Sequence, residues 1–178
     1  METNGLELAL GLNPTSLVDL GGLDWNMHMT YYTNESEVTK LTVDPYNYGG
    51  FATFLGTYRI EEGVSPTAIV GADYDADGNH IELGNENPDF RLSFRNSLSF
   101  GPLSLSFLID HKEGGHAINL ANLIYDLGAT TADYEENGSR TAVLGGGSTA
   151  PYVESTTYTA LRDLSLTYSC LLYTSPSP

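Results

Sequence analysis

Hydrophobic and polar positions alternate along most of this chain. A period of two is the mark of strands with one apolar face. Leu6, Leu8, Leu10 and Leu12 alternate with Glu7, Ala9 and Gly11, which predicts a first strand over Leu6–Leu12 closed by Asn13-Pro14. Trp25, Met27, Met29 and Tyr31 stand against Asn26, His28 and Thr30 and predict a second. Thr33–Lys40 reads as a polar stretch, and the Tyr- and Gly-rich segment Pro45–Phe51 as loop. Tyr58–Ala72 is strand-like but interrupted by Gly63 and Pro66, and Asp73–Asn79 is a turn by composition.

The clearest unit is a hairpin. Phe90, Leu92, Phe94, Leu98 and Phe100 share one parity, and Arg91, Ser93, Arg95, Ser97 and Ser99 the other, with Asn96 the one polar break in the apolar row. Gly101-Pro102 turns the chain, and Leu103, Leu105, Phe107 and Ile109 continue against Ser104, Ser106 and Asp110. Ile118, Ala121, Ile124 and Leu127 fall three apart and Gly128 can end a helix, so one short helix is expected within Ala117–Leu127. It sits inside a long polar connection running from about Lys112 to Val153, through Glu135-Glu136 and Gly145-Gly146-Gly147. Leu164, Leu166 and Tyr168 against Ser165, Thr167 and Ser169 predict a last strand. The expected fold is all-β, an antiparallel up-and-down meander with one short loop helix.

Alternation alone fits both a transmembrane barrel and a soluble β-sandwich. Phe90–Phe100 is long for a soluble strand, whose mode is about 5–6 residues. It matches the roughly 9–11 residues that cross a bilayer at a tilt. One connection is very short and another very long, as in outer-membrane barrels. Trp25, Tyr31, Phe100 and Tyr168 lie near strand ends and suit interfacial girdles, although core aromatics would read the same way. These cues favour part of a large transmembrane β-barrel over a sandwich.

Composition narrows the function. The 178 residues carry seven Lys+Arg against 23 Asp+Glu, a formal net charge of −16. Such a chain repels phosphate backbones, so no nucleic-acid partner is expected. No run of 18 apolar residues offers a transmembrane helix. The opening Met1-Glu2-Thr3-Asn4-Gly5 has neither the basic nor the apolar region of a signal peptide. The chain is expected to be a fragment, with Met1 an internal methionine.

Candidate chemistry is sparse. Asp73-x-Asp75-x-Asp77-Gly78 matches the start of a calcium loop, three oxygen ligands at odd positions before a sharp turn. His80 replaces the expected apolar residue and Gly84 the expected bidentate acid, which favours a solvated acidic turn. No metal and no cofactor are therefore expected. Enzyme motifs such as G-x-S-x-G, H-E-x-x-H or a phosphate loop are missing, so no enzyme is expected. His111 with His116, and the adjacent acids Glu61-Glu62 and Glu135-Glu136, read as ordinary surface groups. Arg91 and Arg95 share the polar parity of a central strand and are expected to pair with acids on neighbouring strands. Tyr46, Tyr48 and Phe51 could stack on sugar rings, but loop packing is the simpler role.

Both ends are abrupt. Residues 170–178, Cys-Leu-Leu-Tyr-Thr-Ser-Pro-Ser-Pro, resemble the conceptual translation of a transposase sequencing adapter found in assembled metagenomic reads. They are expected to be a non-native tail, which leaves residues 1–169 as natural sequence without a cysteine. Within that span, Asn4-Gly5-Leu6-Glu7-Leu8 and Gly84-Asn85-Glu86-Asn87-Pro88-Asp89-Phe90 resemble two strand starts of one family. Leu103–Leu108 with Gly114-Gly115 looks like its following strand and loop start, and Ile118-Asn119-Leu120 with Tyr125–Gly128 its loop helix. Tyr152–Tyr168 is similar to its final tyrosine- and leucine-rich strand.

Taken in order over residues 4–169, these segments resemble the C-terminal barrel region of SusC/RagA-like TonB-dependent outer-membrane receptors. The resemblance implies import of large nutrients such as oligosaccharides or peptides across a cell outer membrane. It also implies a SusD-like lipoprotein and TonB as partners and outer-membrane lipid around the barrel. Barrels of this kind have about 22 strands, and about six are expected here. The family's plug and TonB box have no counterpart in these residues, so the piece is not expected to transport alone. The alternative is a soluble, secreted β-sandwich that binds carbohydrate through its Tyr-rich loops.

Overall fold

The structure is a computed structural model that describes residues 1–50, 52–144 and 147–170. Phe51, Gly145, Gly146 and tail residues 171–178 lie outside the described residues. Strand dominates, in antiparallel sheets with a few short helices.

In chain order the elements begin with β1 (Glu2–Leu12) and β2 (Leu23–Glu37). Then come β3 (Tyr46–Tyr48), β4 (Thr57–Ile60), β5 (Ala68–Tyr74) and β6 (His80–Asn85). The hairpin strands are β7 (Pro88–Phe100) and β8 (Leu103–Gly114). A short β9 (His116–Ile118) leads into helices α1 (Leu120–Leu127), α2 (Ala132–Glu135) and α3 (Ser139–Leu144). The chain closes with β10 (Val153–Ser155) and β11 (Tyr158–Tyr168).

Five of these strands form one sheet in the order β1-β2-β7-β8-β11, which is also their order along the chain. β2 pairs with β7 from Leu23↔Phe100 to Tyr32↔Arg91. β8 pairs with β11 from Leu103↔Tyr168 to Lys112↔Tyr158, with a bulge at Arg162 between Leu161 and Asp163. Thr3 bonds Ser36 and Asn13 bonds Asn26, as an antiparallel β1–β2 pair requires. The short connections, residues 13–22 and Gly101-Pro102, lie at one end of this sheet, and the long ones, 38–87 and 115–157, leave from the other.

The chain divides into two compact units. The sheet unit comprises Leu6–Tyr32, Arg91–Lys112 and the residues from Tyr158 on. The loop unit comprises Met1–Gly5, Thr33–Phe90 and Glu113–Thr157.

The sheet unit has an apolar face without a core. The register aligns Leu23, Trp25, Met27, Met29 and Tyr31 with Phe100, Leu98, Asn96, Phe94 and Leu92. Leu103, Leu105, Phe107 and Ile109 meet Tyr168, Leu166, Leu164 and Leu161 in the same way. Every buried hydrophobic residue among those described (Val38, Ala68, Ile69, Val70, Leu123, Tyr152) belongs to the loop unit. Among the described residues of the sheet unit the one buried residue is polar, Asn96.

Asn96 is held by its neighbour across the strands. The Trp25 indole Nε1 donates to Asn96 Oδ1 at 3.0 Å, while Asn96 Nδ2 has no partner. A buried amide with one half unpaired is costly, and so is an indole N–H that loses its acceptor. Asn96→Leu alone therefore trades one orphan for another. The paired change Trp25→Phe with Asn96→Leu is expected to leave stability unchanged or raise it, read as a urea midpoint in detergent micelles. A loss from the double change as large as that from Asn96→Leu alone would contradict this.

The strands run longer than the alternation predicts at several places. β2 continues through the polar stretch to Glu37, where Thr33 Oγ1 donates to the Asp89 carbonyl and Thr3 bonds Ser36. The segment read as aromatic loop contains β3, because the backbone of Tyr46–Tyr48 pairs with Ile60–Tyr58. The expected helix starts later, at Leu120, since His116–Ile118 pairs with Ser155–Val153 as strand. Asn119 caps it by accepting from the Asn122 N–H. Two further short helices follow where the sequence suggests none.

Candidate functional site

The loop unit is built around β5, whose Ala68, Ile69, Val70 and Gly71 are all buried. Burial of consecutive residues means that both faces of β5 are covered, which its continuously apolar rather than alternating sequence suits, while β4 and β6 pair its two edges. Thr149 reaches into this core. Its Oγ1 accepts from the Ala72 N–H and donates to the Phe54 carbonyl, each at 3.0 Å. Gly71 makes room for it, because a Cβ there would lie 2.3 Å from Thr149 Cβ.

Two of the three aspartates in the candidate calcium loop, Asp73 and Asp75, accept hydrogen bonds from the chain itself. The Asp73 carboxylate accepts from Ser148 Oγ (2.6 Å), Thr149 N–H (2.8 Å) and Ala150 N–H (3.2 Å). Asp75 turns its own loop by accepting from the Asp77 and Asn79 N–H groups at 2.9 and 2.8 Å. Those bonds, Asn79 first, hold its carboxyl below the ordinary value. Among the described residues no three His, Cys, Asp or Glu side chains converge as a metal cluster. Asp73→Ala is therefore expected to cost about 1–3 kcal/mol through its unpaired donors. Calcium is expected to leave the thermal midpoint of the wild-type chain unchanged; a calcium-dependent rise that Asp73→Ala abolishes would contradict this.

A second polar knot joins the helices. Asp126, fully buried on α1, accepts from Arg140 Nε at 2.9 Å, from Tyr152 OH at 2.9 Å and from Thr131 Oγ1. The Arg140 guanidinium, foremost, holds the Asp126 carboxyl down at about 2 against the penalty of burial. Burial, and then the bond to Asp126, push the Tyr152 hydroxyl up to about 12. No spacing in the sequence marks Asp126, Arg140 and Tyr152 as partners. The signal available was an Asp on the apolar side of a helix, one turn beyond Leu123.

Beside a smaller acidic cavity of about 190 Å³ lined by Glu2, Asn4, Glu35 and Glu37, two larger ones open among the described residues of this unit. One, of about 410 Å³, is polar and lined in part by Asn34, Glu35, Glu37, Asn85, Asn87 and Asp89. The other, of about 260 Å³, is mainly apolar, with Leu55, Tyr58, Ala117, Ile118 and Leu120 as walls and Glu86 and His116 in its lining. Burial, followed by the neighbouring Glu86, pushes the Tyr58 hydroxyl up to about 12. Its ring packs on Tyr48, with centroids 5.4 Å apart.

The remaining candidates are placed as follows. Tyr46 and Tyr48 flank Asn47 on β3, while Phe51 is outside the described residues. His111 bonds Thr159 across the β8–β11 pair, and His116 packs against Gly84, where a Cβ would come within 2.6 Å. Glu61 pairs with Arg59, Glu62 accepts from the Leu41 N–H, and Glu135 and Glu136 sit at the end of α2. Arg91 faces Tyr32 and Arg95 faces His28. On the same polar side Asp110 accepts from Tyr158 OH at 2.7 Å and Arg162 Nε at 3.1 Å. The Tyr158 bond leads in holding Asp110 low, with Arg162 next and the charge of Arg91 a smaller contribution.

Charge is divided unevenly. The sheet unit has five acidic and four basic residues, the loop unit 18 acidic and three basic ones. Nearly all of the net −16 therefore resides in the loop unit. No protein-family pattern and no curated protein matches the chain.

Proposed function

We propose that this chain is a segment of the C-terminal barrel of a SusC/RagA-like TonB-dependent outer-membrane transporter. The observation that carries this reading is the apolar face of the five-stranded sheet. It is built from strands of 11 to 15 residues, and Leu8, Leu103, Leu164 and Leu166 on it are 46–72% exposed. Water penalises such a face, and lipid does not. Leu23 and Tyr31 lie eight residues apart, about 27 Å along the strand. At a 45° tilt this is about 19 Å across the bilayer, inside an apolar band of about 25 Å.

The connections support the same reading. Short turns at one sheet end and long excursions at the other are the usual asymmetry of such barrels, with the long loops outside the cell. The nearly neutral sheet unit suits the membrane, and the acidic loop unit suits the external surface. In the complete transporter, TonB supplies the energy, a SusD-like lipoprotein covers the loops, and an oligosaccharide or peptide is the cargo. Among the described residues one edge of β1 and one of β11 have no strand neighbour, and the segment would not transport alone.

The soluble carbohydrate-binding sandwich is the second reading, favoured by the Tyr48–Tyr58 pair with Tyr48 40% exposed. Sequencing the reading frame across both ends separates the two. The transporter reading expects a plug upstream, further strands downstream, and replacement of residues 170–178. Stop codons bounding the chain would favour the sandwich.

A further inference from the structure

We propose that the apolar pocket of the loop unit is a subsite for one apolar side chain of a cationic peptide. The proposal rests on the transporter reading and narrows its cargo from large nutrients in general to peptides. Three observations carry it.

The first is size. At about 260 Å³ the pocket falls just under the ~300–1,000 Å³ of sites that enclose a whole small ligand. It holds one side chain and leaves the rest of a ligand outside. Its depth is maintained by glycine: a Cβ on Gly56 would lie 2.6 Å from Ile118 Cδ1, so any larger residue displaces the wall.

The second is the chemistry of the walls. Leu55, Ala117, Ile118 and Leu120 offer no hydrogen bonds from their side chains. A sugar hydroxyl turned to these four walls would lose water without replacement, at about 1–3 kcal/mol for each unpaired group, with only Thr57, Tyr58, Glu86 and His116 left in the lining to pair the others. A leucine or phenylalanine side chain loses nothing there.

The third is charge. Glu86, exposed, stands in the lining, within a unit that has 18 acidic residues and three basic ones. None of the three basic residues, Lys40, Arg59 and Arg140, lines the pocket, and two of them are committed to Glu61 and Asp126. The field around the opening therefore attracts cations and repels acids. An apolar residue flanked by lysine or arginine satisfies both the pocket and its surroundings.

The test is fluorescence anisotropy with the full 178-residue chain in detergent micelles. The probe is a labelled, end-blocked peptide Lys-Lys-Leu-Lys-Lys, compared with its Ser-centred and Glu-flanked counterparts and with maltoheptaose as competitor. Ala117, exposed at the pocket wall, is changed to Trp to fill it and to Ser as a control. The Leu-centred peptide is expected to bind, and its affinity to fall about tenfold or more with Ala117→Trp or with the Ser-centred probe. Glu86→Gln is expected to weaken binding and to flatten its salt dependence.

Equal binding of the Leu- and Ser-centred peptides would overturn the proposal, since charge alone would then suffice. So would unchanged binding by a folded Ala117→Trp chain, absence of binding, or displacement by maltoheptaose. The wild-type and Glu86→Gln samples, in which Trp25 is the single tryptophan, report lipid contact by its quenching, so failure of the pocket and failure of the transporter reading are separately visible.

Discussion

Replacing Asp126 by alanine is expected to cost about 3–5 kcal/mol in the loop unit, the range for a buried ion pair that loses one partner. Three donors converge on this carboxylate, and it is completely shielded from water. Its removal leaves the buried Tyr152 hydroxyl without its acceptor. It also leaves Arg140, 27% exposed, without its counter-charge. Amide exchange at Leu123 and Tyr152 reads the effect directly, because both are fully buried in that unit. Exchange rates that do not change would remove the knot from the account.

The same carboxylate sets an acid limit. Its folded value, about 2, lies below the ordinary value of about 3.9, so the unfolded chain binds the proton more tightly. The stabilisation is complete above the ordinary value and is lost as pH falls through about 2. Protection of Leu123 is therefore expected to hold at pH 5 and to decline between pH 4 and pH 2. Asp126→Asn should remove that decline.

Leu164→Arg is the second large effect. Leu164 sits midway along β11 opposite Phe107, on the apolar side, and is 64% exposed. If that side meets lipid, an arginine there costs about 2–4 kcal/mol near the midplane. Ser165, its neighbour on the polar side opposite Ser106, should accept arginine within about 0.5 kcal/mol. Urea midpoints in micelles compare the two. Equal, small effects would mean that Leu164 faces water.

The five long strands were legible because one face is apolar and the other polar, whereas β6, with only Ile81 and Leu83 on its apolar parity, was not. The hairpin at Gly101-Pro102 follows from the parity of Phe90–Phe100 and Leu103–Ile109 alone. Alternation is silent where other forces decide. β2 continues past Tyr32 because backbone and hydroxyl groups, not apolar side chains, hold Thr33–Glu37 in pairs. β3 and β9 are three residues each, too short to show a period, and exist because Ile60–Tyr58 and Ser155–Val153 offer edges.

The site was less legible. Asp73, Asp75 and Asp77 share a spacing that suits a cation, but Asp73 is drawn off to residues 148–150, more than seventy positions away. Spacing along a chain cannot show such a competitor. The Asp126 knot joins residues from α1, α3 and the segment before β10, and none of them forms a local motif. The apolar pocket draws on β4, β9 and the start of α1, so only the folded unit brings its walls together.

The claim on which the rest depends is that the apolar face of the five-stranded sheet lies in lipid. Trp25 is the single tryptophan, half-buried on that face and bonded to Asn96. Its fluorescence in micelles of a brominated detergent, against the unbrominated form, is the direct measurement. The account predicts strong quenching by bromine on the acyl chain and little by aqueous iodide. Quenching by iodide alone, or a soluble monomer whose Trp25 ignores bromine, would contradict it.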